Sequence, residues 1–118
     1  HFFFFCMYNH DMKKSLVNKT LNDLTDRIVR VAKPQRVLLF GSAVSGNMTK
    51  ESDLDVLVVM RGSIHRRQTA QKIYRNLHGL GIAVDIVVAT EEDVRKFGRR
   101  NGSILKPALQ HGRVLYEA

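Results

Sequence analysis

The stretch Leu39–Met60, LFGSAVSGNMTKESDLDVLVVM, decides how this chain is read. An apolar run stops at Gly41-Ser42, a pair suited to a turn because glycine reaches backbone conformations closed to other residues. Ten residues later Asp53 and Asp55 flank Leu54 and open a second apolar run. Side chains alternate along a strand. Asp53, Asp55, Leu57 and Val59 therefore share one face, and Leu54, Val56, Val58 and Met60 share the other. A later apolar run, GIAVDIVVA, carries a single carboxylate, Asp85, in phase with Ala83, Val87 and Ala89.

Working outward, Leu16, Val17, Leu21, Leu24, Ile28, Val29 and Val31 recur mostly at spacings of three and four. That predicts an amphipathic helix over Ser15–Val31, closed by Pro34. Strands are expected at Arg36–Phe40, Leu54–Met60 and Ile82–Ala89. Between the last two lies a basic helix, roughly 66–80, with Ala70, Ile73, Tyr74 and Leu77 as its apolar stripe and Gly79 and Gly81 at its end. This places Tyr74 in the core. Thr90 and Asp93 have the spacing of a capping box for a helix that ends near Gly98. Asn101-Gly102 reads as a turn. Ser103 caps a last helix that reaches Gln110, and Val114-Leu115-Tyr116 packs back as a tail.

A helix between the second and third strands implies a parallel crossover. Their aspartates then lie near the strand beginnings, at one end of the sheet. For Gly41 to reach that end, the first strand must run antiparallel to the second. The expected fold is α/β (α+β): a short mixed sheet with helices packed mainly on one face and the carboxylate-bearing face open. Three carboxylates gathered there repel one another, and burial worsens the repulsion. A divalent cation relieves it, and hard oxygen donors suit magnesium or manganese. Glycine at position 41 allows close backbone approach, and exposed amides with the Ser42 hydroxyl can bind phosphate oxygens. A lone Asp-x-Asp is usually a solvated strand start. The third aspartate in register and the upstream Gly-Ser argue against that reading here.

The remaining composition sets bounds. A length of 118 residues suits one domain with one core. Cys6 is the lone cysteine, which excludes a disulfide framework or thiolate cluster and fits a reducing, cytoplasmic setting. No apolar run is long enough to span a bilayer. Residues 1–11, HFFFFCMYNHD, match neither strand nor helix periodicity and read as a flexible leader or appended remnant before a domain over 12–118. The rival reading is an apolar arm that docks on a partner. Formal charge is +8, or +9 without the leader's Asp11. That favours a polyanionic partner such as a nucleotide, RNA or an acidic protein surface, or serves solubility alone. Arg66, Arg67, Lys72 and Arg75 form one basic cluster, and Arg95, Lys96, Arg99 and Arg100 form another. Each fits phosphate or acidic-partner contacts as well as a plain solvated face. His65, His78 and His111 lack metal-ligand spacing and read as surface or capping residues.

In order and spacing, Gly41-Ser42, Asp53-Leu54-Asp55 and Asp85 resemble the signature of the minimal nucleotidyltransferases of the DNA polymerase β-like superfamily. The ending GRVLYEA is similar to that family's C-terminal hook, so the resemblance extends over about residues 15–117. It implies transfer of a nucleoside monophosphate, AMP from ATP or another nucleoside triphosphate, to a hydroxyl with release of pyrophosphate. It implies that Asp53 and Asp55 hold a nucleotide-bound Mg2+ or Mn2+. Asp85 joins them at a second metal and can act as general base, while Gly41 and Ser42 anchor phosphates. Many members carry arginine where this chain has Ser45, and Lys50 could substitute. The small size leaves no room for an acceptor-binding domain. By analogy the acceptor is a tyrosine of a HEPN-domain toxin, and the chain is its antitoxin. The alternatives are a catalytically idle antitoxin that acts by binding, and an enzyme for a small molecule or RNA end. Base preference, self-association and nucleic-acid binding are left open.

Overall fold

A computed structural model describes residues 8–41, 54–100, 102–103 and 105–118, with side chains from residue 19 onward. Ser42, Ser45, Lys50, Asp53 and Asn101 lie outside the described residues. In chain order the elements are α1 (Tyr8–Ala32), β1 (Arg36–Phe40), β2 (Leu54–Met60), α2 (Arg66–Arg75), β3 (Val84–Thr90), α3 (Glu91–Phe97), α4 (Leu105–His111) and β4 (Arg113–Glu117).

The four strands form one sheet in the order β3-β2-β1-β4. β1 runs antiparallel to β2 and to β4, while β2 and β3 are parallel. The mixed sheet expected from the position of Gly41 is therefore present. On one face Val37, Leu39, Leu54, Val56, Val58 and Ile86 pack with Leu21, Leu24 and Ile28 of α1 and Ile73 of α2. Leu24, Ile28, Val56 and Ile73 are fully buried. Burying a side chain of this size contributes about 1.5–3 kcal/mol, so this face anchors both long helices. α1 stops where Lys33 turns left-handed, at φ 50°. Its N–H still bonds the Val29 carbonyl at 3.0 Å, and buried Pro34 then prevents continuation. The helix backbone begins at Tyr8, within the leader, earlier than its apolar spacing indicates.

The opposite face is less open than expected. Leu38, Leu57, Val59 and Ala89 lie beneath Leu105 and Ala108 of α4, with Val94 and Phe97 of α3 alongside. These helices are seven residues each and cover the part of β2 and β3 that lies beyond the aspartates. Two further features differ from the periodicity. α2 ends at Arg75, because Asn76 turns its amide onto the Lys72 carbonyl at 2.9 Å. Arg27 of α1 then holds the Asn76 and His78 carbonyls, at 3.3 and 2.6 Å. The tail is a strand: β4 pairs with the free edge of β1, with a register shift between Val37 and Leu38.

The caps follow the sequence. The Thr90 hydroxyl accepts the Asp93 N–H at 3.1 Å, and the Asp93 carboxylate accepts the Thr90 N–H at 3.0 Å. Arg66, at the start of α2, donates to the same carboxylate through Nε at 3.0 Å, joining the first turns of α2 and α3. His65 caps α2 through Nδ1 and Ser103 caps α4 through Oγ.

Candidate active site

β2 and β3 are in register with Asp55 opposite Asp85. Paired residues of a parallel ladder point to the same side of the sheet, so alternation along each strand puts both carboxylates on one face. This is the same side as Leu57 and Val59, one step before α3 and α4 begin to cover it. Asp55 is half-buried and Asp85 exposed. On the other flank of β2, Phe40 is the register partner of Asp55, which brings the end of β1 and Gly41 beside it. Gly41, Asp55 and Asp85 thus converge at one end of the sheet. Asp53 and Ser42, the other residues expected in the site, lie outside the described residues. Among the described residues no cluster of three or more His, Cys, Asp or Glu side chains forms.

Gly41 has a role that the motif alone does not reveal. Its φ is +80°, a left-handed conformation, and a Cβ there would collide with Asp55 Oδ2 and lie 3.2 Å from its Cγ. The missing side chain therefore makes room for a carboxylate of the site itself. Close approach of a phosphate is a separate matter. The seat fixes Asp55 between the turn after β1 and the neighbouring Asp85.

Tyr74 was expected in the core and is not there. It is 41% exposed. Successive residues on a helix lie about 100° apart, and it is Ile73 that points into the core. Tyr74 leans along the outer edge of β3. Its hydroxyl accepts the Ile86 N–H at 2.8 Å and donates to Asp85 Oδ1 at 3.4 Å. The residue is a neighbour of the site that the apolar stripe concealed. The available signal was the pair Ile73-Tyr74: neighbours on a helix lie about 100° apart, so one of the two stands at the margin of the apolar stripe.

The donor set fits a hard divalent cation. Two carboxylates stand side by side on adjacent strands, both with access to solvent, and among the described residues no histidine or cysteine is gathered with them. A separate cleft of about 450 Å³, lined by Ser63, Arg66, Thr90, Asp93 and Lys96, lies at the opposite end of β2 and β3. Arg66 and Asp93 are paired there, as are Lys96 and Glu92. The cleft is built from capping and ion pairs and contains none of the site aspartates.

Comparison with known proteins agrees with this arrangement. The model of the family described as "Nucleotidyltransferase domain" matches residues 18–112. A "putative protein adenylyltransferase" of Methanocaldococcus jannaschii is 33% identical over 82 residues, which cover 70% of this chain and 78% of that protein. The crystal structure of a "putative nucleotidyltransferase" from Sulfolobus solfataricus superimposes with a TM-score of 0.59 at 17% identity, covering 88% of this chain and 85% of that one. A chain of a toxin–antitoxin complex with AMP-PNP superimposes with a TM-score of 0.54 at 23% identity, covering 82% and 73%. The two solved structures share the fold. The family match spans both aspartate-bearing strands and the glycine turn, and the chain belongs to the nucleotidyltransferase domain family.

Proposed function

We propose that this chain is a metal-dependent nucleotidyltransferase that moves AMP from ATP to a tyrosine of a cognate HEPN-domain toxin in the cytoplasm and so acts as its antitoxin. The observation that carries the catalytic part is the register of Asp55 with Asp85, beside a glycine whose absent side chain makes room for Asp55. Asp53, Asp55 and Asp85 would hold Mg2+ or Mn2+, with Asp53 assigned from the motif. A cation bound there supplies charge neutralisation for the phosphate oxygens and lowers the cost of ionising the attacking hydroxyl.

The chain's own groups do the rest. Asp85 stands exposed on the outermost strand of its side of the sheet, where an incoming hydroxyl can reach it and give up its proton. The turn that starts at Gly41, with Ser42, would receive the β- and γ-phosphates and hold the α-phosphate in line with that hydroxyl. The acceptor assignment is supported by the similarity to the Methanocaldococcus protein and by the fold shared with a chain of a toxin–antitoxin complex. The HEPN partner and its tyrosine come from the family analogy.

Ser45, in the place of the family's usual arginine, favours a second reading: an antitoxin that binds its toxin without modifying it. Labelled ATP and Mg2+, incubated with this chain and its candidate toxin, separate the two. Label on a toxin tyrosine supports transfer, and tight binding without label supports the idle antitoxin. Transfer to a small molecule or RNA end instead removes the toxin assignment. The Asp53→Asn with Asp55→Asn variant should fold and lose transfer. Unchanged transfer by that variant would refute the metal site.

A further inference from the structure

We propose that the Tyr74 hydroxyl is a positioning group that ties the Asp85 carboxylate to the β3 backbone and so fixes it for cation binding; this rests on the nucleotidyltransferase reading of the site. A phenol oxygen carries one proton. Here the oxygen accepts the Ile86 N–H at 2.8 Å, so the proton is directed away from the strand, and Asp85 Oδ1 is its partner at 3.4 Å. The same side chain thus satisfies an edge-strand donor that no further strand pairs among the described residues, and turns that satisfaction into a restraint on the adjacent carboxylate.

Asp85 needs such a restraint more than Asp55 does. Asp55 sits on an inner strand, half-buried, with the Gly41 turn packed against it. Asp85 sits on the edge strand and is exposed. An exposed carboxylate samples several rotamers, and holding it in one orientation before the cation arrives removes that entropy from the binding step. Among the described residues, Tyr74 is the side chain whose hydrogen bond does this. The helix supplies the geometry. Ile73, buried in the core, fixes the rotation of α2, and that rotation lays Tyr74 along the strand edge.

Manganese binding tests the role without relying on turnover. Mn2+ alone is titrated into the full chain and free Mn2+ is read by electron paramagnetic resonance, for the wild type, Tyr74→Phe, Asp85→Asn and the double variant. Tyr74→Phe should weaken Mn2+ binding about threefold to tenfold, at or below the low end for outer-shell partners of metal ligands, because the hydrogen bond is long. Its melting temperature should fall by a few degrees, because the Ile86 N–H loses the hydroxyl that accepts it, and this loss should be the same with and without the Asp85 carboxylate. In the Asp85→Asn background the same substitution should change Mn2+ binding no further. Should Tyr74→Phe fail to fold, Tyr74→Met keeps an apolar side chain without the hydroxyl and replaces it in the cycle.

Equal Mn2+ affinity for wild type and Tyr74→Phe overturns the positioning role and leaves the proposed function standing. An equal loss of Mn2+ affinity with and without the Asp85 carboxylate overturns it too, because the effect then does not pass through Asp85. A wild type that takes up no Mn2+ overturns the reading of the site, and this role with it. Intact-mass analysis after incubation with ATP and Mg2+ adds a check. Nucleotidyl label on Tyr74 itself would make the hydroxyl an acceptor and refute the assignment.

Discussion

Gly41→Ala tests the construction of the site most directly, because two separable penalties meet at one atom. The first is conformational. At φ +80° a Cβ crowds its own backbone, and holding an L-residue in the left-handed region costs about 1–2 kcal/mol. The second is steric: the new methyl group would displace the Asp55 carboxylate from the space it occupies over Gly41. For a domain of this size the first term alone lowers the melting temperature by about 4–10 °C. The second should appear as a coupling between positions 41 and 55. In an Asp55→Ala background the collision is gone, so Gly41→Ala should cost about 0.5–1 kcal/mol less than it does in the wild type. Urea denaturation of the four proteins measures this. Transfer activity should fall about 100-fold or more in Gly41→Ala, the usual consequence of moving a reacting group by an ångström. A cycle that closes with no coupling, or full activity in Gly41→Ala, would show that Asp55 does not lie against the glycine and would remove the argument for a prebuilt carboxylate seat.

Two other substitutions probe the frame around the site. Asp93→Asn should cost about 1 kcal/mol at neutral pH, the scale of a helix cap, since its carboxylate accepts from both Thr90 N–H and Arg66. The Arg66 hydrogen bond, helped by the Thr90 amide, holds that carboxyl below the usual carboxylate range. A depressed folded-state value makes the contribution fully present above the unfolded-state value, near 3.9, and lost as pH falls through the lower folded-state value. The gap in urea midpoint between wild type and variant should therefore hold from pH 8 to about pH 5 and narrow on further acidification; a gap that widens in acid would contradict the ion pair. Lys33→Gly should raise stability by about 0.5–1 kcal/mol, because Lys33 is the non-glycine residue with positive φ among the described residues, and an unchanged or lower melting temperature would argue against a left-handed end to α1.

The strands that position the site were legible because alternation and direction are coupled. Asp55 and Asp85, near the beginnings of parallel runs, could meet at one end of the sheet, and Gly41 could reach that end only from an antiparallel neighbour; the ladders show both directions and pair the two aspartates in register. What the sequence concealed arises from contacts between distant segments. α2 carries an apolar stripe that runs on past Arg75, yet the Asn76 amide and the grip of Arg27 stop it there. Leu57 and Val59 share parity with Asp55, which suggested one open face, but α3 and α4 fold over their end of it. The segment RVLYE looked like a tail because five residues carry little periodic signal, and only the free edge of β1 makes it a strand. Tyr74 misled for a different reason. Tyrosine is both apolar and polar, and its place was set by an edge-strand amide, which no pattern in its own helix records.

The outermost position of β3 has a consequence for selectivity. Asp85 faces solvent from the last strand on its side of the sheet, at the flank of the described residues. A nucleophile carried on the surface of a folded protein can be offered there sideways, without being threaded into a cavity. Under the proposed function the strand edge itself sets little limit on the visitor's size, and contacts made farther away could then choose the partner while the acidic corner stays unaltered.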